Sequence, residues 1–410
     1  RAAGLLIVGC ALLTLLAAPD ELERFRNYRS GEFSALIFAA SLGMVMMSSA
    51  NNTIVMFLGL ELFSIALYLL CIFLPERSSC RESGIKYFLL SSAASAILLY
   101  GLALLYGATG STWLSEMAQG LSSASPVLVY AGTVLVLSGL MFKLAVVPFH
   151  FWAPDVYEGA PTTVTAFMSV ATKVAALAFL WRFLLALSNS PAYLLSILIL
   201  FALCCLSILV GNLLALAQTN VKRILAYSGV ANAGYLLIAP VAGPDLYQPL
   251  MFFLFAYLLG NMGAFLALSQ IEAELKRDVH LRDLPGTFQR NPWLAAALAV
   301  CLFSLAGLPP MAGFLGKFYL FGKAMAAKQF WLPVFGVLGS LVGAGYYLWT
   351  AARLFVAPDA GQPEGEQTEA VAPSGPAQLA LAACVVGVIW LGLAPSQILS
   401  WLSANGFPMN

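Results

Sequence analysis

Charge is scarce in this sequence: 10% of its 410 residues are Asp, Glu, Lys or Arg, whereas a soluble domain carries about 25%. The formal net charge is +1, so there is no surplus of Lys and Arg from which to build a nucleic-acid face. Only two histidines occur, His150 and His280. Of the seven cysteines no two form a CxxC pair, and Cys204 and Cys205 stand side by side in an apolar run as small hydrophobes. No glycine-rich phosphate loop opens a helix after a strand. Metal, haem, iron–sulfur, dinucleotide and nucleotide sites therefore lack ligands here, and any redox or ATP chemistry coupled to this chain belongs to a partner. The first residue is Arg1, inside an apolar segment without a signal-cleavage pattern, so a further N-terminal piece is expected ahead of it.

What is abundant is hydrophobic sequence, 61% of the chain. About 20 apolar residues cross a bilayer as a helix, and that ruler parses the chain into an all-α polytopic bundle of twelve spans. They fall near residues 2–18, 33–50, 53–74, 85–107, 126–146, 161–181, 191–213, 222–240, 247–270, 291–328, 331–352 and 377–403. The span from Asn291 is too long for one straight crossing, and its interior Gly307-Leu308-Pro309-Pro310 removes backbone donors, so it reads as a broken helix with two halves. Pro148 breaks the pattern a second time. With alternate loops assigned to the same side, thirteen loop Lys and Arg fall on one side and four on the other. The rich side is cytoplasmic, which places the loop of His150 and Asp155 there. The Pro-, Gly- and acid-rich stretch 357–377 reads as a flexible connector.

Three basic residues are left over, Lys143, Lys173 and Lys317, each inside an apolar span, and one acid, Glu61. A charge at the centre of a spanning helix costs about 2.5–3.5 kcal/mol on insertion scales. Snorkelling to the interface or pairing with a carboxylate would explain a lysine near a helix end, such as Lys143. Lys173 lies about twelve residues into its span, with Thr165 and Ser169 on the same helical face. That polar stripe points to a hydrated interior, where a buried lysine exchanges its proton as neighbouring charges change. Lys143 precedes its break and Lys317 follows its own, the order that two repeats of opposite topology would give. Ser228, Asn232 and Tyr235 form a further stripe, either a water path or an interhelical hydrogen-bonded seam. Asp155 and Glu158 either cap the next helix or admit protons.

FKLAVVPFHFWAPDVYEGAPTTVTAFMSVATKVAAL, from Phe142 to Leu177, with QTNVKRILAYSGVANAGY and LAGLPPMAGFLGKFYLF, closely resembles the signatures of the antiporter-like membrane subunits of respiratory complex I. The resemblance covers nearly the whole chain. It implies one domain over 1–410, with two inverted five-helix repeats at about 33–187 and 191–356 and a C-terminal helix at 377–403. Family members have fourteen helices, and the position of Glu61 implies that the first two are absent here. Glu61 becomes the acidic partner of Lys143, Lys173 the central proton relay, Lys317 the far relay, and His150 part of the polar loop or the inter-lysine connection. Lysine rather than glutamate at 317 fits subunits N and L of the family rather than M.

The implied function is proton translocation driven by NADH-quinone electron transfer, in a bacterial cytoplasmic (inner) membrane. No cofactor would be bound by this chain, and NADH, FMN, iron–sulfur clusters and quinone would sit in partner subunits. The partners implied are a neighbouring antiporter-like subunit, small helical subunits and lipid, with no nucleic acid. Two other readings use the same residues: a cation/proton antiporter subunit of the Mrp type, and a membrane scaffold whose charges merely pair.

Overall fold

The computed structural model describes residues 1–24, 29–275, 277–357 and 374–404; the predicted connector, and Arg26 and Lys276 of the cytoplasmic loop count, fall outside them wholly or in large part. Among the described residues the chain is helical throughout. The helices are α1 (Ala2–Arg24), α2 (Ser30–Ser49), α3 (Thr53–Cys71), α4 (Ser78–Thr109), α5 (Leu114–Gly120), α6 (Pro126–Lys143), α7 (Trp152–Gly159) and α8 (Thr162–Ala186). There follow α9 (Ala192–Leu216), α10 (Val221–Ala242), α11 (Tyr247–Leu275), α12 (Thr287–Arg290), α13 (Pro292–Ala306), α14 (Ala312–Ala326), α15 (Trp331–Phe355), α16 (Gly375–Leu393) and α17 (Pro395–Ala404).

Polar residues mark the starts of several long helices. Asn52 accepts from the Ile54 and Val55 amides to open α3, and Asn220 accepts from Arg223 to open α10. Asn291 with Pro292, and Ser374 with Pro376, open α13 and α16. Each pairing satisfies or removes backbone donors that a helix start leaves over.

Among the described residues eleven helices are long and apolar enough to cross a membrane, and α13 with α14 makes the twelfth crossing, broken at 307–311. The last predicted span is shorter than expected. It ends at Leu393, because Ala394, standing before Pro395, leaves the helical region at φ −129°, ψ 60°, and α17 starts anew.

The apolar core of α8 is 100% buried, and those of α10 and α11 are 94% and 89% buried, against 33% for α2 and α4. These three helices are therefore the interior of the bundle, and the others form its wall, with Phe38, Leu89, Tyr100, Leu198 and Leu341 facing outward. In the first half α2 packs most heavily on α3, and α4 on α6; in the second α9 packs on α10, and α11 on α13. Helix ends assigned to one side by the alternation meet one another. Glu21 at the end of α1 bonds the start of α8, and Lys222 at the start of α10 reaches Glu272 at the end of α11. Arg77, just before α4, pairs with Asp278, just after α11.

Candidate functional site

All three stray lysines are buried, with 2%, 1% and 6% of Lys143, Lys173 and Lys317 exposed. None reaches the interface, so snorkelling is excluded. Among the described residues none makes an ion pair either: their partners are hydroxyls, carbonyls and aromatic rings.

Lys143 is the last residue of α6. Its Nζ donates to Ser64 Oγ at 2.8 Å and Ser91 Oγ at 2.6 Å, and lies 5.4 Å from the centre of the Phe63 ring. Ser64 stands one turn from Glu61 on α3, and Glu61 Oε1 is buried without a hydrogen-bond partner. The expected partnership is thus not a direct contact, because Ser64 occupies the position next to the ammonium.

The helix stops after Lys143 through a left-handed cap. Ala145, at φ 54°, donates to Phe142 O while Val146 donates to Met141 O. The Trp152 indole donates a second hydrogen bond to Phe142 O at 3.0 Å. His150 lies in this break, 4% exposed, with Nδ1 unpartnered and its ring 6.3 Å from that of Tyr227. It is not brought into hydrogen-bond contact with any of the lysines.

Lys173 projects from the middle of α8 between α10 and α11. Its Nζ donates to Gly229 O at 2.6 Å and to Tyr257 OH at 3.1 Å. Ser169, one turn earlier, accepts from Asn261 Nδ2 at 2.6 Å. Thr165 continues the predicted stripe but turns its hydroxyl to the Tyr157 and Pro161 carbonyls.

Lys317 sits in the second turn of α14 and completes the end of α13. Gly307, at φ 85°, and Leu308 return their amides to Phe303 O and so close the helix. The carbonyls of Leu305 and Ala306 are left over, and Lys317 Nζ lies 2.9 Å and 3.4 Å from them. A cation at a helix C-terminus is also favoured by the dipole. Gly313 lets the two half-helices touch: a Cβ there would fall 1.8 Å from Ser304 O.

The second stripe forms a seam of hydrogen bonds and ring contacts across three helices that ends beside Lys317. Asn232 Nδ2 donates to Tyr347 OH at 3.3 Å, and the Tyr347 ring lies 4.3 Å from that of Tyr346. Tyr346 OH donates to Asn212 Oδ1 at 3.1 Å, and Asn212 Nδ2 to Tyr235 OH at 3.2 Å. The Tyr235 ring then lies 4.8 Å from Lys317 Nζ. Sequence reasoning found the α10 members and missed Asn212, Tyr257, Asn261, Tyr346 and Tyr347. The two asparagines left a signal, an amide in the middle of an apolar span.

Two expectations need correction. Glu61 is not the sole acid withdrawn from water: Glu21 and Glu272 are 5% and 2% exposed, and Lys222, counted among the loop cations, is 1% exposed. All three lie at helix ends, where position along a span gives no sign that neighbouring helices cover them. Nor do Asp155 and Glu158 cap α8. Glu21 does that, accepting from the Thr162 and Thr163 amides at 2.7 Å and 2.9 Å.

Asp155, on α7 beyond the spanning helices, instead bridges Arg223 at 2.9 Å and Lys86 at 3.1 Å. Burial raises its carboxyl pKa, but hydrogen bonds from Arg223 and Lys86 outweigh this and hold it below the ordinary carboxylate value. Among the described residues no group of three or more His, Cys, Asp or Glu side chains is placed to hold a metal ion.

A family profile described as "NADH:quinone oxidoreductase/Mrp antiporter, TM" matches residues 50–343. NADH-quinone oxidoreductase subunit N of Moorella thermoacetica is 41% identical over 401 residues, spanning 97% of this chain and 82% of the relative. The chain belongs to the subunit N family. Subunit N of Desulfovibrio desulfuricans is 42% identical over 420 residues, spanning 98% of this chain and 83% of its own. Among solved structures, a chain of Thermus thermophilus respiratory complex I with bound aureothin superposes with TM-score 0.78 at 38% identity, covering 96% of this chain and 86% of that one. A chain of the Mrp complex from a Dietzia species reaches 0.82 over 97% of this chain and 82% of its own. At 23% identity that is a likeness of fold alone. Members of the subunit N family in bacteria are multi-pass membrane proteins, as the twelve crossings require.

Proposed function

We propose that this chain is a proton-translocating membrane subunit of NADH-quinone oxidoreductase, and that Glu61, Lys143, Lys173 and Lys317 carry the proton. The observation that bears this reading is the lysines' surroundings: three buried ammonium groups, none paired with a carboxylate among the described residues, with a seam of hydroxyl and amide groups ending beside one of them. A structural cation in a membrane interior is balanced by a fixed anion. A lysine held by neutral hydroxyls and carbonyls keeps hydrogen-bond partners in both protonation states, and its charge follows that of its neighbours.

In the mechanism, electron transfer to quinone in partner subunits shifts the charge near Glu61, one turn from the serine that holds Lys143. The Lys143 proton is released or retained accordingly, and that change drives proton exchange at Lys173. From Lys173 the proton passes along Asn232, Tyr347, Tyr346, Asn212 and Tyr235 to Lys317, whose half-helix α14 leads to the opposite side of the membrane. His150 lies within the first break and is assigned no direct transfer.

NADH, FMN, iron–sulfur clusters and quinone belong to other subunits of the complex on this reading. The outward apolar wall meets lipid, a neighbouring antiporter-like subunit and small helical subunits. We also assign α2–α8 and α9–α15 as inverted repeats, supported by the matching helix pairings of the two halves and the mirrored order of lysine and break.

The test is Lys173→Met in the intact complex, with assembly verified and proton uptake measured alongside NADH-quinone turnover. An assembled complex that loses pumping supports the relay. Unchanged pumping would return the lysine to a structural role.

A further inference from the structure

Away from the three lysines, the cytoplasmic end of the bundle buries a second set of charges. Glu21, Glu272 and Lys222 are 5%, 2% and 1% exposed, and they converge on the first turn of α8, the helix that carries Lys173. The two carboxylates have different tasks. Both oxygens of Glu21 accept hydrogen bonds from the Thr162 and Thr163 amides, and Oε2 also accepts from the Thr163 hydroxyl at 2.7 Å. Glu21 is thereby committed to the helix N-terminus. Glu272 accepts at 2.5 Å from the Thr162 hydroxyl, and its Oε1 lies 3.3 Å from Lys222 Nζ without an aligned hydrogen bond.

Among the described residues the charges do not balance. Among the described residues, Glu21, Glu272 and Asp278 face Lys222 and Arg77: three carboxylates and two cations. Cys80, at the start of α4, is the other titratable group beside them. Two carboxylates withdrawn from water next to one ammonium do not both stay ionised readily. The cluster therefore has room for one proton, and Glu272, the carboxylate not committed to a cap, is where it fits.

Polar pairs recur inward from Glu272. Along the antiparallel contact of α8 and α11, Thr162 faces Glu272, Ser169 faces Asn261, and Lys173 faces Tyr257. Asn261 Oδ1 in this line is buried and unpartnered. From Thr162 to Lys173 is about 16 Å along the helix. Outward, Asp278 lies 4.0 Å from Lys222, with about a third of its side chain exposed, and so joins the cluster to the aqueous side.

We propose that Glu272 is the proton-loading group on the cytoplasmic side of Lys173, with Lys222 its fixed counter-ion and Asp278 its contact with water. This rests on the relay reading of Lys173. Neutral Glu272 gives its proton along the Ser169–Asn261 line to the Lys173 amine, leaving a carboxylate and an ammonium. The carboxylate then takes a proton from the cytoplasmic solvent, and no other bond changes.

The experiment uses the whole complex in sealed vesicles, comparing Glu272→Gln, Glu272→Asp and Lys173→Met, with assembly verified and protons pumped per NADH oxidised followed from acid to alkaline pH. The expected result is a loss of pumping yield in Glu272→Gln together with a flattened pH profile, and recovery of both in Glu272→Asp. Normal yield and profile in assembled Glu272→Gln, with yield lost in Lys173→Met, would overturn the loading role and leave the relay standing. Normal yield in Lys173→Met as well would overturn the relay itself. Should Glu272→Gln fail to assemble, the double variant Glu272→Gln/Lys222→Met removes the ion pair as a neutral unit. Normal pumping by that assembled double variant would equally overturn the proposal.

Discussion

The two interrupted regions of the bundle solve one problem in different ways. Each stops a helix inside the membrane, where a free carbonyl has no water to bond, and each closes the last turn through a left-handed residue, Ala145 in one and Gly307 in the other. At the first break the Trp152 indole reinforces Phe142 O, so Lys143 has no capping duty and binds Ser64 and Ser91. At the second break no side chain of that kind serves, and Lys317 itself holds the carbonyls of Leu305 and Ala306. The same residue type thus binds side-chain hydroxyls at one break and backbone carbonyls at the other. A charge-bearing lysine can be recruited into the backbone's own hydrogen bonding.

This difference is open to attack, most strongly at the lysines. Lys317→Met is expected to abolish coupled pumping and also to destabilise, since it strips the donor from two buried carbonyls, at a cost of about 1–3 kcal/mol. Lys143→Met is expected to abolish pumping with a smaller loss of stability, because the Ser64 hydroxyl keeps its bond to the Leu60 carbonyl and the two serine oxygens lose only an incoming donor. Thermal unfolding of the two purified complexes, read beside their pumping, decides the point; equal unfolding temperatures would erase the distinction.

A smaller effect is expected from Trp152→Phe. Phe142 O keeps its bond from Ala145 and loses one, so a loss of about 1 kcal/mol should appear in thermal unfolding with pumping retained. A collapse of pumping in that variant would show that the first break is as tightly tied to its lysine as the second. The smallest change expected is a gain. Ala145→Gly relieves a left-handed alanine that Gly307 shows to be avoidable, and should stabilise by about 0.5–1 kcal/mol in the same assay.

The interruptions were legible in the sequence because proline and glycine act on their own backbone. Pro309 and Pro310 announce a break wherever they stand, and a lysine in an apolar run announces a cost. The surroundings of the lysines were not legible. Ser64 and Ser91 lie 79 and 52 residues from Lys143, and Tyr257 lies 84 from Lys173. Helix periodicity says which residues share a face, but not which foreign face is opposite. Glu21, Lys222 and Glu272 were hidden for a related reason, since residues at span ends look solvated until a neighbouring helix covers them.

The sequence by itself determined the twelve crossings, the two breaks and the three displaced lysines. Each follows from local chemistry: apolar length against bilayer thickness, missing backbone donors, and charge removed from water. Only the tertiary structure decided that the lysines have hydroxyls and carbonyls for partners, that a seam of tyrosine and asparagine ends beside Lys317, and that Glu21 rather than Glu272 caps α8. Those facts depend on how helices far apart in the chain lie against one another, and that arrangement is set by the packing of the whole bundle.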